Sequence, residues 1–253
     1  MRIRYAQAMQ TETVTRNFEE ALKEVCQYKG SNNYAALAGD PSTFRFGINS
    51  PAGFFGLWDL EDGLWGLGLG VYRPSFIGKA LSQSPTRQMR MTIPRTWTDV
   101  QLVKRSEWNF FAIESATEPQ SPNLYQVEAL DSDQEITAFI DRCAPDSSTR
   151  PGDSEIIFWH GIRDSEGVLR SIGAAVRWKT AATMLVSIAT DPIARGRSMA
   201  QEVTASLVKR LFDLGSPVVG LGVWAQNTPA IRAYEKVGFK LQEEFVSGPL
   251  LQP

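Results

Sequence analysis

The chain has 253 residues, 43% hydrophobic and 21% charged, with 26 Lys and Arg against 28 Asp and Glu for a formal charge of −2. This composition supports a real core in one large or two ordinary domains and excludes the charge-rich signature of disorder. The balance of charge offers no basic field to a phosphate backbone, so no nucleic-acid partner is expected.

No apolar run reaches the roughly 18 residues needed to cross a bilayer, so no membrane role is expected either. Met1 to Tyr5 is followed by polar residues where a secretory leader would place its apolar stretch, and the expected setting is cytoplasmic. The two cysteines, Cys26 and Cys143, lie far apart and read as buried thiols. With neither near a second Cys or His, and with His160 as the only histidine, no metal site is expected.

The first helix signal is Asn17 with a carboxylate three residues on, followed by apolar positions at Phe18, Ala21, Leu22, Val25 and Cys26. A stretch rich in Trp, Phe and Gly comes next, ending in Gly66-Leu67-Gly68-Leu69-Gly70. A dinucleotide loop would need a helix after those glycines and an acidic residue about 20 positions on; Pro74 follows instead, and the segment reads as a glycine-punctuated strand. Met89 to Ile93 and Trp108 to Ile113 read as strands around a loop that contains Trp97.

Two prolines and small polar residues between Ser115 and Asn123 interrupt the apolar pattern. They suggest an amino-terminal α+β domain over 1–115, a linker over 116–123 and a second domain over 124–253. In that second part Ser132 opens a helix through Ile136, Phe139, Ile140 and Cys143. Ile156 to Ile162 and Val168 to Trp178 form a hairpin, Met184 to Thr190 a further strand, and Ser198 to Leu214 a helix stopped by Gly215. Val218 to Trp224 is a strand, Thr228-Pro229 starts the last helix, and a final strand begins at Phe239.

The chemistry concentrates where the strand ending in Thr190 passes into Asp191-Pro192-Ile193-Ala194-Arg195-Gly196-Arg197-Ser198-Met199-Ala200-Gln201. A loop of small residues at a helix start leaves several N–H groups without partners, and the helix dipole adds to their attraction for an anion such as a pyrophosphate. An ordinary tight connection would show some of the same residues. One α/β unit later comes Asn227-Thr228-Pro229-Ala230, followed by Tyr234 and then Gly238-Phe239.

Together these segments resemble the GNAT superfamily of N-acetyltransferases, with its loop R-x-x-G-x-G/A and later signature N-x-x-A-x-x-x-Y-x-x-x-G-F. Arg195, Ser198 and Ala200 align with the first, and Asn227, Ala230, Tyr234, Gly238 and Phe239 complete the second. The likeness spans about Leu124 to Phe245. Met91-Thr92-Ile93-Pro94-Arg95 and Glu107-Trp108-Asn109-Phe110 are further similar to the leader of actinobacterial two-part GNAT proteins.

The resemblance implies a mixed, mostly antiparallel central sheet flanked by helices, in the α+β (α/β) class. It also implies acetyl-CoA as co-substrate and a primary amine as acceptor, with no metal. The pantetheine arm would run along Ile188, Ala189 and Thr190. Main-chain amides from Gly196 through Arg197, Ser198, Met199 and Ala200 to Gln201 would hold the pyrophosphate, helped by Arg195 or Arg197. Tyr234 would be the general acid, and Asn227 would serve the coenzyme or cap the helix.

Ser198 stands where the family has glycine, which would strain the loop if φ is positive there. Glu155, His160 and Asp153 are open candidates for a general base. The leader reads either as a separate Trp-rich core or as a degenerate copy of the same fold, roofing the acceptor pocket or making a homodimer contact. A non-catalytic acyl-CoA-binding module is the alternative to an enzyme.

Overall fold

The computed structural model of the chain describes residues 12–29, 39–50, 53–83 and 88–251. The Cys26 side chain lies outside the described set, and Cys143 is a free, half-buried thiol. In chain order the elements are β1 (Thr13–Thr15), α1 (Phe18–Lys29), β2 (Phe44–Ser50), β3 (Gly53–Leu60), β4 (Gly63–Gly70), α2 (Pro74–Gln83), β5 (Met89–Pro94) and β6 (Ser106–Glu114). They continue with β7 (Glu128–Leu130), α3 (Asp133–Cys143), β8 (Ile156–Arg163), β9 (Leu169–Arg177), β10 (Thr183–Thr190), α4 (Met199–Asp213), β11 (Val218–Trp224), α5 (Thr228–Val237) and β12 (Lys240–Pro249). No described helix is long and apolar enough to cross a membrane.

Two compact units form, Met1–Trp108 with Glu243–Pro253, and Asn109–Gln242. The chain leaves the first unit after Trp108, upstream of the proline-containing 116–123 segment. The reason is that β6 already buries Phe111 and Ile113 in the core of the second unit. The segment that follows is tied to the same unit, with Ser115 N–H donating to Pro217 O and Gln120 N–H to Val237 O, both at 2.9 Å.

In the first unit β1, β2, β3 and β4 pair in that order, all antiparallel, β4 and β5 pair in parallel, and Phe245–Pro249 of β12 runs antiparallel to β5. Successive strand residues point to opposite faces. Phe46, Ile48, Phe55, Leu57, Met91 and Ile93 accordingly pack with Phe76 and Ala80 of α2, while Gly47 turns the other way, toward Ala21 of α1. Helix α2 corrects the expectation drawn from Pro74: that proline is the first helical residue, where its missing N–H costs nothing. The glycine series is nonetheless strand. A Cβ at Gly66 would stand 2.7 Å from Met91 Sδ and one at Gly68 would stand 2.3 Å from the Trp97 ring, so the glycines make room for those side chains.

The second unit orders its strands β7-β8-β9-β10-β11-β6. The first three pairings are antiparallel and β10 pairs with β11 in parallel. Ile136, Phe139 and Ile140 of α3 pack against Trp159, Ile172 and Ala174. On the other face Val203, Leu207 and Leu211 of α4, with Val237 of α5, meet Ile162, Ala175, Leu185 and Val219. Gly173 lets α4 approach β9, since a Cβ there would lie 2.9 Å from Leu207 Cδ1. The result is the expected α+β architecture, a mixed sheet flanked by helices. Both units run through the same series of strand, helix, three antiparallel strands, helix and parallel strand.

Candidate active site

The site lies within the second unit and begins with an irregularity in β10. Between Val186, opposite Ala174, and Ala189, opposite Ile172, β10 spends one residue more than β9. This is a β-bulge, and Ser187 occupies the left-handed region with φ 52°. The bulge bends β10 away from β11: their parallel pairing runs from Thr183/Val219 only to Leu185/Leu221, although both strands continue beyond. A bulge of this kind has no one-dimensional signature, and the sequence pattern showed only a continuous strand.

Past Thr190 the chain turns on Asp191, whose carboxylate accepts the Ile193 N–H at 3.2 Å at the head of a short 3-10 turn, Pro192–Ala194. Arg170 grips the other carboxylate oxygen at 2.9 Å, with Arg142 at 3.7 Å. Burial alone would raise this carboxyl, but the Ile193 N–H and the two guanidiniums outweigh it and hold Asp191 below the usual carboxylate range. The loop therefore has a fixed anchor. Arg195 lies back along it, its Nε donating to Thr190 O at 3.3 Å.

Gly196 and Ser198 then adopt positive φ, 76° and 63°. Gly196 suits this conformation, whereas Ser198 carries the strain its side chain implies, and its hydroxyl makes no capping bond to α4. The first α4-type acceptance is by Ser198 O, from Glu202 N–H at 3.1 Å. The amides of Met199, Ala200 and Gln201 thus stand at a helix start with no acceptor inside the helix.

Helix α5 supplies the opposite wall. Asn227 caps it, its Oδ1 accepting the Ala230 N–H at 3.3 Å, and Gly238 ends it at φ 116°. Tyr234 is only 7% exposed, and burial pushes its phenol well above the ordinary value. It stays protonated and can act only as a neutral donor or acceptor at physiological pH.

These pieces line one groove of about 680 Å³. Of the residues singled out in the sequence, Ile188, Ala189, Thr190, Arg195, Gly196, Ser198, Met199, Ala200, Gln201, Asn227 and Tyr234 line it, and Arg197 does not. Sequence reasoning missed Cys143 and Ala144 at the end of α3, and Arg232 and Lys236, one turn apart on α5. The i, i+4 spacing of those two cations on the signature helix was the available signal. No acidic residue is among the lining side chains, so the groove is suited to an anion.

The candidate bases lie elsewhere. His160 Nδ1 is 2.9 Å from Ser206 Oγ of α4, and burial, with Arg210 nearby, holds its pKa below the usual histidine value. Asp153 accepts the Arg150 N–H at 2.8 Å, and Glu155 uses its main-chain oxygen to bind the Arg177 N–H at 2.8 Å. None of the three lines the groove, and no cluster of His, Cys, Asp and Glu able to hold a metal occurs among the described residues.

Residues 161–246 match a family model described as FR47-like protein. Over 54 residues the chain is 43% identical to the mycothiol acetyltransferase of Brachybacterium faecium, a match covering 21% of this chain and 16% of that protein. Among solved structures, the GCN5-related N-acetyltransferase from Sphaerobacter thermophilus superposes with a TM-score of 0.61 at 13% identity, covering 96% of each chain. The GCN5-related N-acetyltransferase from Kribbella flavida gives 0.58 at 15% identity over 92% of this chain and 95% of that one. At such identities the two structures speak for a shared fold.

Proposed function

We infer, from the FR47-like match over residues 161–246 and the fold shared with GCN5-related N-acetyltransferases, that the second unit is a GNAT superfamily domain and that the protein transfers an acetyl group from acetyl-CoA to a primary amine of a small molecule or protein. The observation that carries this reading is the single groove joining an anion-seeking helix start, a parted pair of parallel strands and a buried tyrosine. A pyrophosphate would be held by the amides from Gly196 to Gln201, with Arg195 adding charge. The pantetheine amides would pair with the main chain of Ile188, Ala189 and Thr190, which β11 leaves unpaired on that edge.

Attack on the thioester requires a neutral amine, a donor for the developing oxyanion and a proton for the departing thiolate. A main-chain N–H near Ala189 suits the second need. Tyr234, protonated at every physiological pH, suits the third. With no carboxylate or imidazole among the lining residues, the amine would lose its proton to water before attack. Asn227 holds the start of α5 and, through it, the tyrosine.

A second reading, a non-catalytic acyl-CoA-binding module, is favoured by the strained Ser198 and by the lack of a lining base. Incubation with acetyl-CoA and a panel of amines, following free thiol, separates the two. Turnover that falls about 100-fold or more in Tyr234→Phe, with coenzyme affinity kept, supports the enzyme. Binding without turnover supports the module, and no binding at millimolar coenzyme removes both.

A further inference from the structure

The bulge that parts β10 from β11 is held from outside its own strand. Ser187 Oγ lies 2.6 Å from Ser147 Oγ, and each hydroxyl reaches Thr149 O at 3.3 Å. Each hydroxyl has one hydrogen, so one proton joins the two oxygens while the other goes to the carbonyl. Ser147 belongs to the connection that follows α3, and its N–H donates to Ala144 O at 2.9 Å. Ala144 in turn lines the groove, beside Cys143.

The backbone makes the choice of serine informative. At φ 52° a glycine would sit without steric cost, yet it could not reach the α3 connection. A β-branched residue would be excluded from that region, and alanine would carry the strain with no compensating bond. Serine at this position accepts strain in exchange for a tie to the connection that follows α3. The two residues that follow it in the chain, Ile188 and Ala189, both line the groove.

We propose that Ser187 is a positioning residue: latched to Ser147, it fixes the β10 bulge so that the Ile188–Ala189 main chain presents a set geometry to the acyl group. The proposal rests on the acetyltransferase reading for its kinetic consequence. It separates two functions of the groove, because the coenzyme's anchorage lies at the α4 end and the latch acts only at the acyl end.

The test compares Ser187→Gly, which relaxes φ and cuts the latch, with Ser147→Ala, which cuts it from the far side and leaves Ser187 in place. Both should lower kcat about ten-fold or more, since small misplacement of a reacting group has large rate effects. Affinity for coenzyme A without its acetyl group should stay within about two-fold, any preference for acetyl-CoA over CoA should shrink, and the double variant should be no worse than either single one. Ser147→Thr, which keeps the hydroxyl, should restore the rate.

A wild-type kcat in Ser187→Gly, a parallel loss of CoA affinity, or additive effects in the double variant would overturn the latch. If the wild-type protein binds no CoA, the acetyltransferase reading fails. The latch is then judged by amide hydrogen exchange at 186–189, which should be faster in both single variants; unchanged exchange would refute it.

Discussion

The Trp97 indole N–H donates to the main-chain carbonyl of Gly70 across 2.6 Å. Gly70 ends β4, and Trp97 follows shortly after β5. These two strands pair in parallel from Leu64/Met89 to Leu67/Thr92 and no further, so their ends could part as those of β10 and β11 do. The indole, 3% exposed and in tilted contact with the rings of Tyr72 and Phe76, lies over Gly68 and takes up that space. The connection from β4 to α2 is also too short for a phosphate loop, Val71 to Arg73, against Asp191 to Ser198 in the second unit. Calorimetric titration with coenzyme should therefore saturate at one equivalent per chain; two equivalents would show that the first unit binds as well.

Ser198 should respond to replacement by glycine in stability before affinity. Its φ of 63° is present without any ligand, so the strain belongs to the folded protein itself, and no capping bond of its hydroxyl offsets it. Relieving a left-handed non-glycine residue is worth roughly 1 kcal/mol. Ser198→Gly should raise the urea midpoint accordingly at unchanged m-value, and an unchanged or lowered midpoint would show that the serine is at ease there.

His160 gives the chain a defined acid sensitivity. Its folded pKa lies below the unfolded value of about 6.5, so the unfolded chain binds the proton more readily and stability falls as pH drops below that value toward the folded pKa. Above it both states are neutral and the effect vanishes. As the only histidine, it can be isolated by one substitution. His160→Asn should flatten the stability profile between pH 7 and 5, and a slope that persists would assign the sensitivity to carboxylates.

Glu202 is a carboxylate with 3% exposure in the first turn of α4. One oxygen accepts the Leu124 N–H at 2.5 Å and the other accepts the Ser121 hydroxyl. Removing such a buried acceptor strands both donors, at a cost of about 1 to 3 kcal/mol. Glu202→Ala should lower stability by that amount and open 120–124 to limited proteolysis, and Glu202→Gln should do less, because it keeps one acceptor. Wild-type protease resistance in the alanine variant would refute this role.

The sequence carried much of the second unit because its signals are local. Asn227, Pro229 and Gly238 mark both ends of α5 by capping chemistry alone. Ser132 does the same at the start of α3, with its Oγ accepting the Glu135 N–H at 3.3 Å. What stayed hidden depends on long-range pairing. Ser187 looks like any strand residue until β9 fixes its register, and Cys143 becomes a lining residue only when α3 is laid on the sheet. Pro74 misled for a related reason, since a proline that opens a helix and one that precludes it look alike without the turn before it.

The path of the chain between the two units also bears on dissection and on the order of assembly. A fragment cut at Leu124 would discard Phe111 and Ile113, so the excisable piece is Asn109 to Gln242. The other unit is made of two stretches far apart in sequence, with Val246 in its core and Phe245 to Pro249 hydrogen-bonded along β5. Emerging from a ribosome, the later unit can therefore close on itself first, while the earlier one waits, one strand short, for residues 243–253 to be released.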